Sequence, residues 1–311
     1  MPRLNQNNAA CRDYFVGEGG VIEKYTKMGI GGWRLDVADE LPDEFLYQLR
    51  ESVHKNSQTE GIVIGEVWEN AAVKCAYGKR RNYFHGRQLD SVMNYPLRNG
   101  IIDFVICGSA EMLYNVLVEL YSSYPKCVSD SLMNILSTHD TERILTVLGD
   151  NYRPDAVNDH LAVMRMSLQE REAAIQRLKM ASILQYTVYG IPSVFYGDEA
   201  GLEGYHDPFC RKPFPWGREN EELMAHYRRL GELRNIEEAF DRGSFRVIDH
   251  GRETLAFERC KNDSRVVVLA NGSEDVYTLR LDGKWIDMLT YESYETFLSV
   301  EPHSARIMKK I

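Results

Sequence analysis

Three short stretches of this chain each place one carboxylic acid directly after a run of apolar residues. They are Gly32-Trp33-Arg34-Leu35-Asp36-Val37-Ala38, Ile64-Gly65-Glu66-Val67-Trp68 and Leu136-Ser137-Thr138-His139-Asp140-Thr141. Each stretch reads as a buried strand that ends in a single acid, and an unpaired carboxylate is costly to bury. Their placement therefore indicates a site that uses charge, and the predicted chemistry is the cleavage of an oligosaccharide or polysaccharide.

Two carboxylic acids that face one glycosidic bond are sufficient for its hydrolysis. One attacks the anomeric carbon, and the other protonates the leaving oxygen. The attacking carboxylate must stay ionised, and Arg34, two residues before Asp36, points to the same side of the strand and can supply a cation. His139 is placed to hydrogen-bond a sugar hydroxyl. Aromatic side chains that could stack on sugar rings stand near the strand ends at Trp33, Trp68, Tyr95 and Tyr196.

Each of these residues, taken alone, also fits an ordinary structural role. Asp36 and Glu66 fit a helix cap or an ion pair, and the pair His139-Asp140 fits a helix N-cap. The joint pattern favours a functional site. Three acids at strand ends, with an arginine two residues before the first and a histidine directly before the third, are hard to explain as three independent caps.

The elements that must carry these acids alternate between short apolar runs and longer amphipathic stretches. The pattern predicts helices over 11–28, 42–55, 100–122 and 219–235, another that ends near residue 188, and strands at 30–37, 62–64, 91–94, 133–137 and 192–196. Strands separated by helix-length connections indicate βα units and a parallel sheet. In an α/β barrel the carboxyl ends of such strands carry the working residues, so the three acids are expected to converge there.

The sequence pattern changes after about residue 242, where short predicted strands are separated by turn residues. Strands are predicted at 245–248, 254–257, 266–269 and 277–281. They indicate a small antiparallel β domain. The sequence therefore divides into a larger domain of residues 1–242 and a smaller one of residues 243–311.

The composition limits the classes of binding partner and the cellular compartment that the sequence predicts. A formal net charge of −9 over 311 residues disfavours nucleic acid, because phosphate binding needs a basic face, and is compatible with a neutral sugar. The six cysteines form no Cys-x-x-Cys pair and have no histidine cluster beside them, which predicts no zinc site and a reducing, cytoplasmic compartment. No run of 18 apolar residues occurs, so no membrane span is predicted. No loop has calcium-ligand spacing, and no cofactor or metal is predicted.

The three motifs resemble conserved regions of the α-amylase superfamily, glycoside hydrolase family 13. Gly-Trp-Arg-Leu-Asp-Val-Ala is similar to the second region, Gly-Glu-Val-Trp to the third and Ser-Thr-His-Asp-Thr-Glu-Arg to the fourth. The resemblance implies that Asp36 is the nucleophile, Glu66 the general acid/base and Asp140 the transition-state stabiliser. It also implies that Arg34 and His139 are accompanying active-site residues that bind substrate.

Residues 1–5, 90–96 and 207–213 resemble the neopullulanase, cyclomaltodextrinase and maltogenic amylase branch of that family. This implies α-glucan oligosaccharides as partners, namely maltooligosaccharides, cyclomaltodextrins or pullulan, cleaved at α-1,4 bonds with α-1,6 cleavage as an option. It also implies a homo-oligomer, because specificity in this branch often depends on a dimer partner. Trp68 is predicted to bind substrate. Asp207 and Arg211 are predicted to bind a sugar at the far end of the cleft, although a structural salt bridge between them fits as well.

One family feature is missing. The Asp-x-x-x-Asn-His element that ends the third barrel strand does not occur, and the five strand candidates before the β domain match the fourth to eighth strands. The predicted fold is therefore α/β, a partial TIM (β/α)8 barrel followed by a small antiparallel β-sandwich domain. We expect the chain to be the C-terminal part of a longer enzyme and to be weakly active or inactive alone.

Two other hypotheses remain open at this point. One is a family member that acts mainly by glycosyl transfer or on α-1,6 bonds. The other is a non-catalytic glucan-binding or interaction protein from a split or decayed amylase gene. The missing strands favour the second hypothesis, whereas the intact acids oppose it.

Overall fold

The computed structural model describes residues 4–311, so the first three residues of the element at 1–5 lie outside the described part. The helices are α1 (Ala9–Val16), α2 (Val21–Lys27), α3 (Asp43–Asn56), α4 (Tyr95–Cys107), α5 (Ala110–Ser123), α6 (Lys126–Asp130), α7 (Ile144–Val147), α8 (Asn158–Val163), α9 (Leu168–Thr187) and α10 (Glu221–Ile236). Two short 3-10 helices lie at Ala38–Glu40 and Glu238–Phe240.

The strands before residue 244 have two to four residues each, and those from residue 244 onward have seven to eleven. They are β1 (Gly32–Leu35), β2 (Ile62–Gly65), β3 (Cys75–Ala76), β4 (Lys79–Arg80), β5 (Ser91–Val92), β6 (Met133–Asn134), β7 (Ile191–Pro192), β8 (Ser244–His250), β9 (Thr254–Lys261), β10 (Ser264–Asn271), β11 (Tyr277–Asp287), β12 (Ser293–Val300) and β13 (Ser304–Lys310).

These elements belong to two units. Unit 1 contains residues 4–96 and 118–133, and unit 2 contains residues 97–117 and 134–311. In unit 1 a parallel sheet has the strand order β1-β2-β5, with Gly32 opposite Ile62 at its start. A parallel bridge from Met93 to Met133 extends it. The first three predicted strands therefore lie side by side and in parallel, as the βα pattern indicated.

Glycines at the ends of β1 and β2 permit a close approach of neighbouring atoms. A Cβ atom at Gly32 would lie 2.5 Å from the carbonyl oxygen of Ile62. A Cβ atom at Gly65 would lie 2.5 Å from a methyl carbon of Leu89 and 3.1 Å from Cβ of Ala38. Gly65 directly precedes Glu66, so the end of β2 beside this acid has no free space for a side chain.

Helix α3 connects β1 to β2 and confirms the helix predicted over 42–55. Pro42 is its N-cap, and Asp43 and Glu44 in the first turn favour the positive end of the helix dipole. Its buried side chains have helical spacing and form the apolar face: Phe45, Leu46, Leu49 and Val53. Burial of this face sets the path of the chain from the end of β1 to the start of β2.

Two predicted long helices are wrong, and glycines explain both interruptions. The predicted helix 11–28 is two helices, because α1 ends before Gly17 and α2 begins after Gly20, with Gly19 at φ 74° between them. The predicted helix 100–122 is interrupted at Gly108, which has φ 69°. A positive φ is open to glycine at no steric cost and ends a helix.

In unit 2 the amide of Ser193, directly after β7, donates to the carbonyl of Asn134 at 2.8 Å. The end of α9 is fastened by the buried guanidinium of Arg259, which donates to the carbonyls of Thr187 at 2.7 Å and Val188 at 2.9 Å. The last carbonyls of a helix have no partner within the helix. Arg259, which lies on β9, therefore supplies partners for these carbonyls and joins α9 to the C-terminal sheet.

The C-terminal sheet is antiparallel, with the strand order β12-β11-β13-β10-β9-β8. The predicted sandwich differs from this arrangement, because all six strands belong to one hydrogen-bonded sheet. Strands β12 and β13 were not predicted. Leu298 and Val300 of β12 and Met308 of β13 belong to one core with residues of the other strands: Ala256, Val267, Leu269 and Trp285. The domain boundary at residue 243 stays a prediction.

Candidate active site

At the end of β1, Arg34 and Asp36 lie on the same side of the chain, as their spacing predicts. The guanidinium Nη1 of Arg34 lies 2.5 Å from Oδ1 of Asp36. The side chain of Asp36 is 73% exposed. The expectation of a buried acid is therefore wrong for Asp36: strand β1 ends one residue earlier, at Leu35, and the carboxylate keeps its contact with water.

At the end of β2, Glu66 is buried and surrounded by hydrogen-bond donors. Its Oε2 accepts from the backbone amide of Val37 at 2.8 Å, and its Oε1 accepts from the indole of Trp68 at 3.2 Å. The phenol of Tyr95 lies 3.5 Å from Oε1. Nη2 of Arg34 lies 3.0 Å from Oε2, close enough for an ion pair but without the alignment of a hydrogen bond. Arg34 therefore contacts the carboxylates that follow two neighbouring strands.

The turn between the two acids carries backbone strain. Val37 has φ 41° and ψ 63°, a left-handed conformation that is an outlier for a β-branched residue. Such strain costs about 1–3 kcal/mol and persists only where surrounding contacts hold it. Those contacts come from Glu66, whose carboxylate binds the amide of Val37 and whose carbonyl accepts from the amide of Ala38 at 3.1 Å.

The residues after this turn are held by the segment 74–83. It contains the hairpin β3–β4, whose two turn residues both have positive φ, as a type I′ turn requires. Asp39 accepts a hydrogen bond from Tyr83 and lies 3.0 Å from the ammonium of Lys74. Arg81 donates to the carbonyl of Leu41 at 2.7 Å. Burial, together with the bond to Asp39, raises the pKa of the Tyr83 phenol, which therefore stays a donor.

Trp68 is the half-exposed aromatic residue beside Glu66. Its ring stacks on Tyr95 with centroids 4.2 Å apart and planes at 11°, and Tyr95 is buried. Its substrate-binding role stays a prediction. Trp33 instead donates its indole N–H to Thr26 at 3.0 Å, which indicates a packing role.

Unit 2 brings together the other four predicted site residues. His139 Nε2 lies 3.1 Å from Asp140 Oδ2, and Arg211 Nη2 lies 3.5 Å from Asp140 Oδ1. Arg211 also forms an ion pair with Asp207 at 2.6 Å, so the salt bridge considered from the sequence is present. The carboxyl group of Asp140 is partly exposed. Its expected convergence with Asp36 and Glu66 stays a prediction, as do the sugar contacts of Asp207 and Arg211.

Two buried residues that the sequence did not single out support the segment around Asp140. Arg143 is fully buried, and its Nη1 lies 3.1 Å from Oδ1 of Asp198. Its Nε donates to the carbonyl of Cys210 at 2.7 Å, and its guanidinium carbon lies 4.0 Å from the ring centroid of Phe195. The hydroxyl of Ser137 donates to Asp198. An arginine three residues after Asp140 was the available signal, but its partner lies 55 residues further along the chain.

The buried carboxyl group of Asp198 predicts a pH-dependent stability. Burial raises its pKa from 3.8 to about 6, against the opposing effects of Arg143 and Ser137. Between pH about 4 and 6 the folded protein keeps a proton that the unfolded chain has released, so this group lowers stability as pH rises. We expect the free energy of unfolding of the wild type, minus that of Asp198→Asn, to fall by roughly 2 kcal/mol from pH 4 to pH 7.

Urea unfolding of both proteins at four pH values measures this difference. Asp155→Asn is the matched control, because Asp155 is exposed, and its difference from wild type should stay flat. A wild-type advantage that grows with pH would contradict the prediction and would mean that Arg143 stabilises the ionised form.

Three further properties concern the described residues alone. Among residues 4–311, no helix is long and apolar enough to cross a membrane. No group of three or more His, Cys, Asp or Glu side chains in that range is arranged to hold a metal ion. All six cysteines are unpaired, and Cys75, Cys107 and Cys127 are exposed.

Comparison with known proteins places the chain in a family. A profile described as the catalytic domain of α-amylase matches residues 1–263. A cyclomaltodextrinase from Thermoanaerobacter pseudethanolicus (strain ATCC 33223 / 39E) is 32% identical, over 99% of this chain and 49% of its own length. Neopullulanase 2 from Thermoactinomyces vulgaris is 31% identical, over 99% of this chain and 49% of its own length. The chain thus spans about half the length of the curated relatives it matches.

A solved structure of a cyclomaltodextrinase superposes on all of this chain. The TM-score is 0.81 at 26% sequence identity, and the match covers 100% of this chain and 50% of the other. This likeness, with the family match, supports a TIM-barrel fold followed by a C-terminal sheet domain. The finer prediction, that the chain holds the fourth to eighth barrel strands, stays a prediction.

Proposed function

Because this chain belongs to the α-amylase family, we propose that it carries the catalytic acids of a retaining α-glucan hydrolase. The substrates are maltooligosaccharides, cyclomaltodextrins or pullulan, cleaved at α-1,4 bonds, with α-1,6 bonds as a second target. The observation that carries the proposal is the shared contact of Asp36 and Glu66 with Arg34 at the ends of two neighbouring parallel strands.

In the proposed mechanism Asp36 attacks the anomeric carbon while Glu66 donates a proton to the leaving oxygen. The bond from the anomeric carbon to that oxygen breaks, and a glycosyl ester forms on Asp36. Glu66 then takes a proton from water, which attacks the ester and releases Asp36. The exposure of Asp36 leaves it accessible to a sugar, and its ion pair with Arg34 orients the carboxylate. Asp140 stabilises the oxocarbenium-like transition state, and His139 binds substrate beside it.

A partly complete barrel would limit the activity of the 311-residue chain by itself. A (β/α)8 barrel closes with eight strands, whereas unit 1 has a three-stranded parallel sheet in which β1 pairs only with β2 among the described residues. An unpaired strand edge favours association with other chains. We propose that this polypeptide alone is weakly active or inactive and that the full-length product of its gene is the active form.

The test compares both forms on maltotriose, panose, cyclomaltodextrin and pullulan. We expect the full-length protein to release products that keep the α configuration at the anomeric carbon, as followed by proton NMR during the first minutes. The 311-residue chain is expected to be slower by at least about tenfold. Products with inverted configuration would contradict the two-carboxylate displacement, and a monomeric, fully active 311-residue preparation would contradict the second statement.

A non-catalytic glucan-binding or interaction protein is the second candidate. It is favoured by the coverage of the relatives, since the chain spans about half their length. Affinity electrophoresis in gels that contain amylopectin distinguishes the two. Retarded migration by a full-length protein that releases no reducing sugar would establish the binding function and remove the catalytic one.

A further inference from the structure

A basic pocket lies in unit 2 and has no role in the proposed function. Its volume is about 350 Å³, and its charged lining residues are four cations and one carboxylate: Arg165, Arg171, Lys212, Arg218 and Glu203. The chain as a whole has a formal net charge of −9. Because the chain has more acids than cations, a pocket lined at random would carry a net negative charge. This pocket instead has a formal excess of three positive charges.

The single carboxylate of the pocket is already engaged. Glu203 forms an ion pair with Arg171 and accepts a hydrogen bond from the amide of Met166 at 3.1 Å. Arg171 also donates to the carbonyl of Gly201 at 2.7 Å. This pair is neutral overall, so the positive excess resides on the three remaining cations.

Lys212 is the most constrained of these three. It is partly buried, and its ammonium donates to the backbone carbonyl of Glu203 at 2.9 Å. Burial, together with the nearby Arg165, lowers its pKa. No carboxylate forms an ion pair with Lys212 within the part of the chain that the structure describes. A lysine side chain is seldom removed from water without a charged partner, so an anion in the pocket would supply what the protein does not.

Arg165 approaches the pocket from a different segment than Lys212, whereas Arg218 follows Lys212 in the same connection. Arg165 lies in the loop between α8 and α9, and its guanidinium donates to the backbone carbonyls of Ala162 and Met164. Arg218 is exposed in the loop before α10. Neither forms an ion pair within residues 4–311. Two segments of unit 2, the loop between α8 and α9 and the connection between β7 and α10, thus bring to the same pocket three cations without an ion-pair partner in the described part of the chain.

We infer that this pocket binds the phosphate group of a small molecule, either inorganic phosphate or a phosphorylated sugar. A phosphate monoester is close to a dianion at neutral pH and offers three strong acceptor oxygens. Arginine forks match phosphate oxygens in pairs, and a lysine ammonium adds a compact charge. The volume lies within the range of small-molecule sites and leaves room for a group larger than phosphate.

Isothermal titration of the full-length protein tests this inference. Inorganic phosphate, glucose 1-phosphate and glucose are titrated at pH 7.5 and constant ionic strength. The test variant is Arg165→Met/Arg218→Met, which removes two exposed side chains and leaves the contacts of Lys212 and Glu203 in place. The matched control is Arg228→Met/Arg280→Met, which makes the same change in net charge at two exposed arginines that do not line the pocket.

We expect saturable binding of at least one phosphate-bearing ligand with a dissociation constant of about 1 mM or lower, weakened at least about tenfold by the test variant and less than about twofold by the control. Tighter binding of glucose 1-phosphate than of phosphate identifies a phosphorylated sugar as the ligand, and equal binding identifies phosphate itself.

Three results would overturn the inference. The first is the absence of saturable binding up to about 20 mM ligand. The second is equal weakening by both double variants, which would mean that net charge alone attracts the anion. The third is binding of glucose as tight as that of glucose 1-phosphate. None of these outcomes bears on the anomeric configuration of the products, so the proposed function is judged separately.

Discussion

Asp36→Asn in the full-length protein is expected to reduce the turnover of maltooligosaccharides by about 10³- to 10⁵-fold. The amide has nearly the same size as the carboxylate but cannot form the glycosyl ester. Because the side chain of Asp36 is 73% exposed and forms an ion pair only with Arg34 among residues 4–311, the fold should tolerate the change. The initial rate of reducing-sugar release, with the melting temperature as a check on folding, measures the effect.

Asp13→Asn is the matched control for this variant. Asp13 is exposed on α1 in the same unit, and its replacement makes the same change of charge. The control should keep the wild-type rate. A rate near that of the wild type for Asp36→Asn would remove Asp36 from the nucleophile role, whatever the sequence motif implies.

The second large effect concerns Glu66→Gln, because two different roles of this residue predict different results. As the general acid it is needed only where the leaving group must be protonated. We therefore expect a loss of about 10³- to 10⁴-fold with maltotriose but a much smaller loss in the first chemical step with α-maltosyl fluoride, since fluoride leaves without a proton. Azide, which needs no general base, should accelerate turnover of the fluoride by the variant.

The structural alternative for Glu66 is that it holds the strained turn at Val37. Glutamine keeps an oxygen that can accept from the Val37 amide, but it loses the ion pair with Arg34. If holding the turn were its only role, both substrates would lose activity to the same extent and azide would have no effect. Glu51→Gln, at an exposed position on α3, is the control and should match the wild type with both substrates.

Local patterns predicted the elements whose determinants lie close together in the chain. Helix α3 follows from a proline, two acids and four apolar residues at helical spacing. It was predicted to within a residue at each end. The predicted helices 11–28 and 100–122 were wrong. The apolar spacing on each side of Gly17–Gly20 and of Gly108 is compatible with one helix, and the positive φ values at Gly19 and Gly108 depend on how the flanking segments pack.

Strands β12 and β13 show the same limit for the sheet. Polar residues occur on both faces of each strand, so the alternation of apolar and polar residues within each is weak. They become strands because β11 pairs with β12 on one side and β13 on the other, and because Leu298, Val300 and Met308 enter a shared core. Such pairing depends on contacts between two segments, so the sequence of either segment alone does not predict it.

The sequence by itself determined that Asp36 and Glu66 directly follow strands, the residue types that accompany them and the family to which the chain belongs, whereas Asp140 lies six residues after the end of β6. Only the tertiary structure decided the surroundings of each acid. It left Asp36 in water and buried Glu66 beside the guanidinium of Arg34, with hydrogen bonds from residues 37 and 68. It also paired Arg143 with Asp198. The physical reason is that solvation and ion pairing depend on atoms that packing brings together from distant parts of the chain, whereas strand and helix patterns depend on neighbours a few residues away.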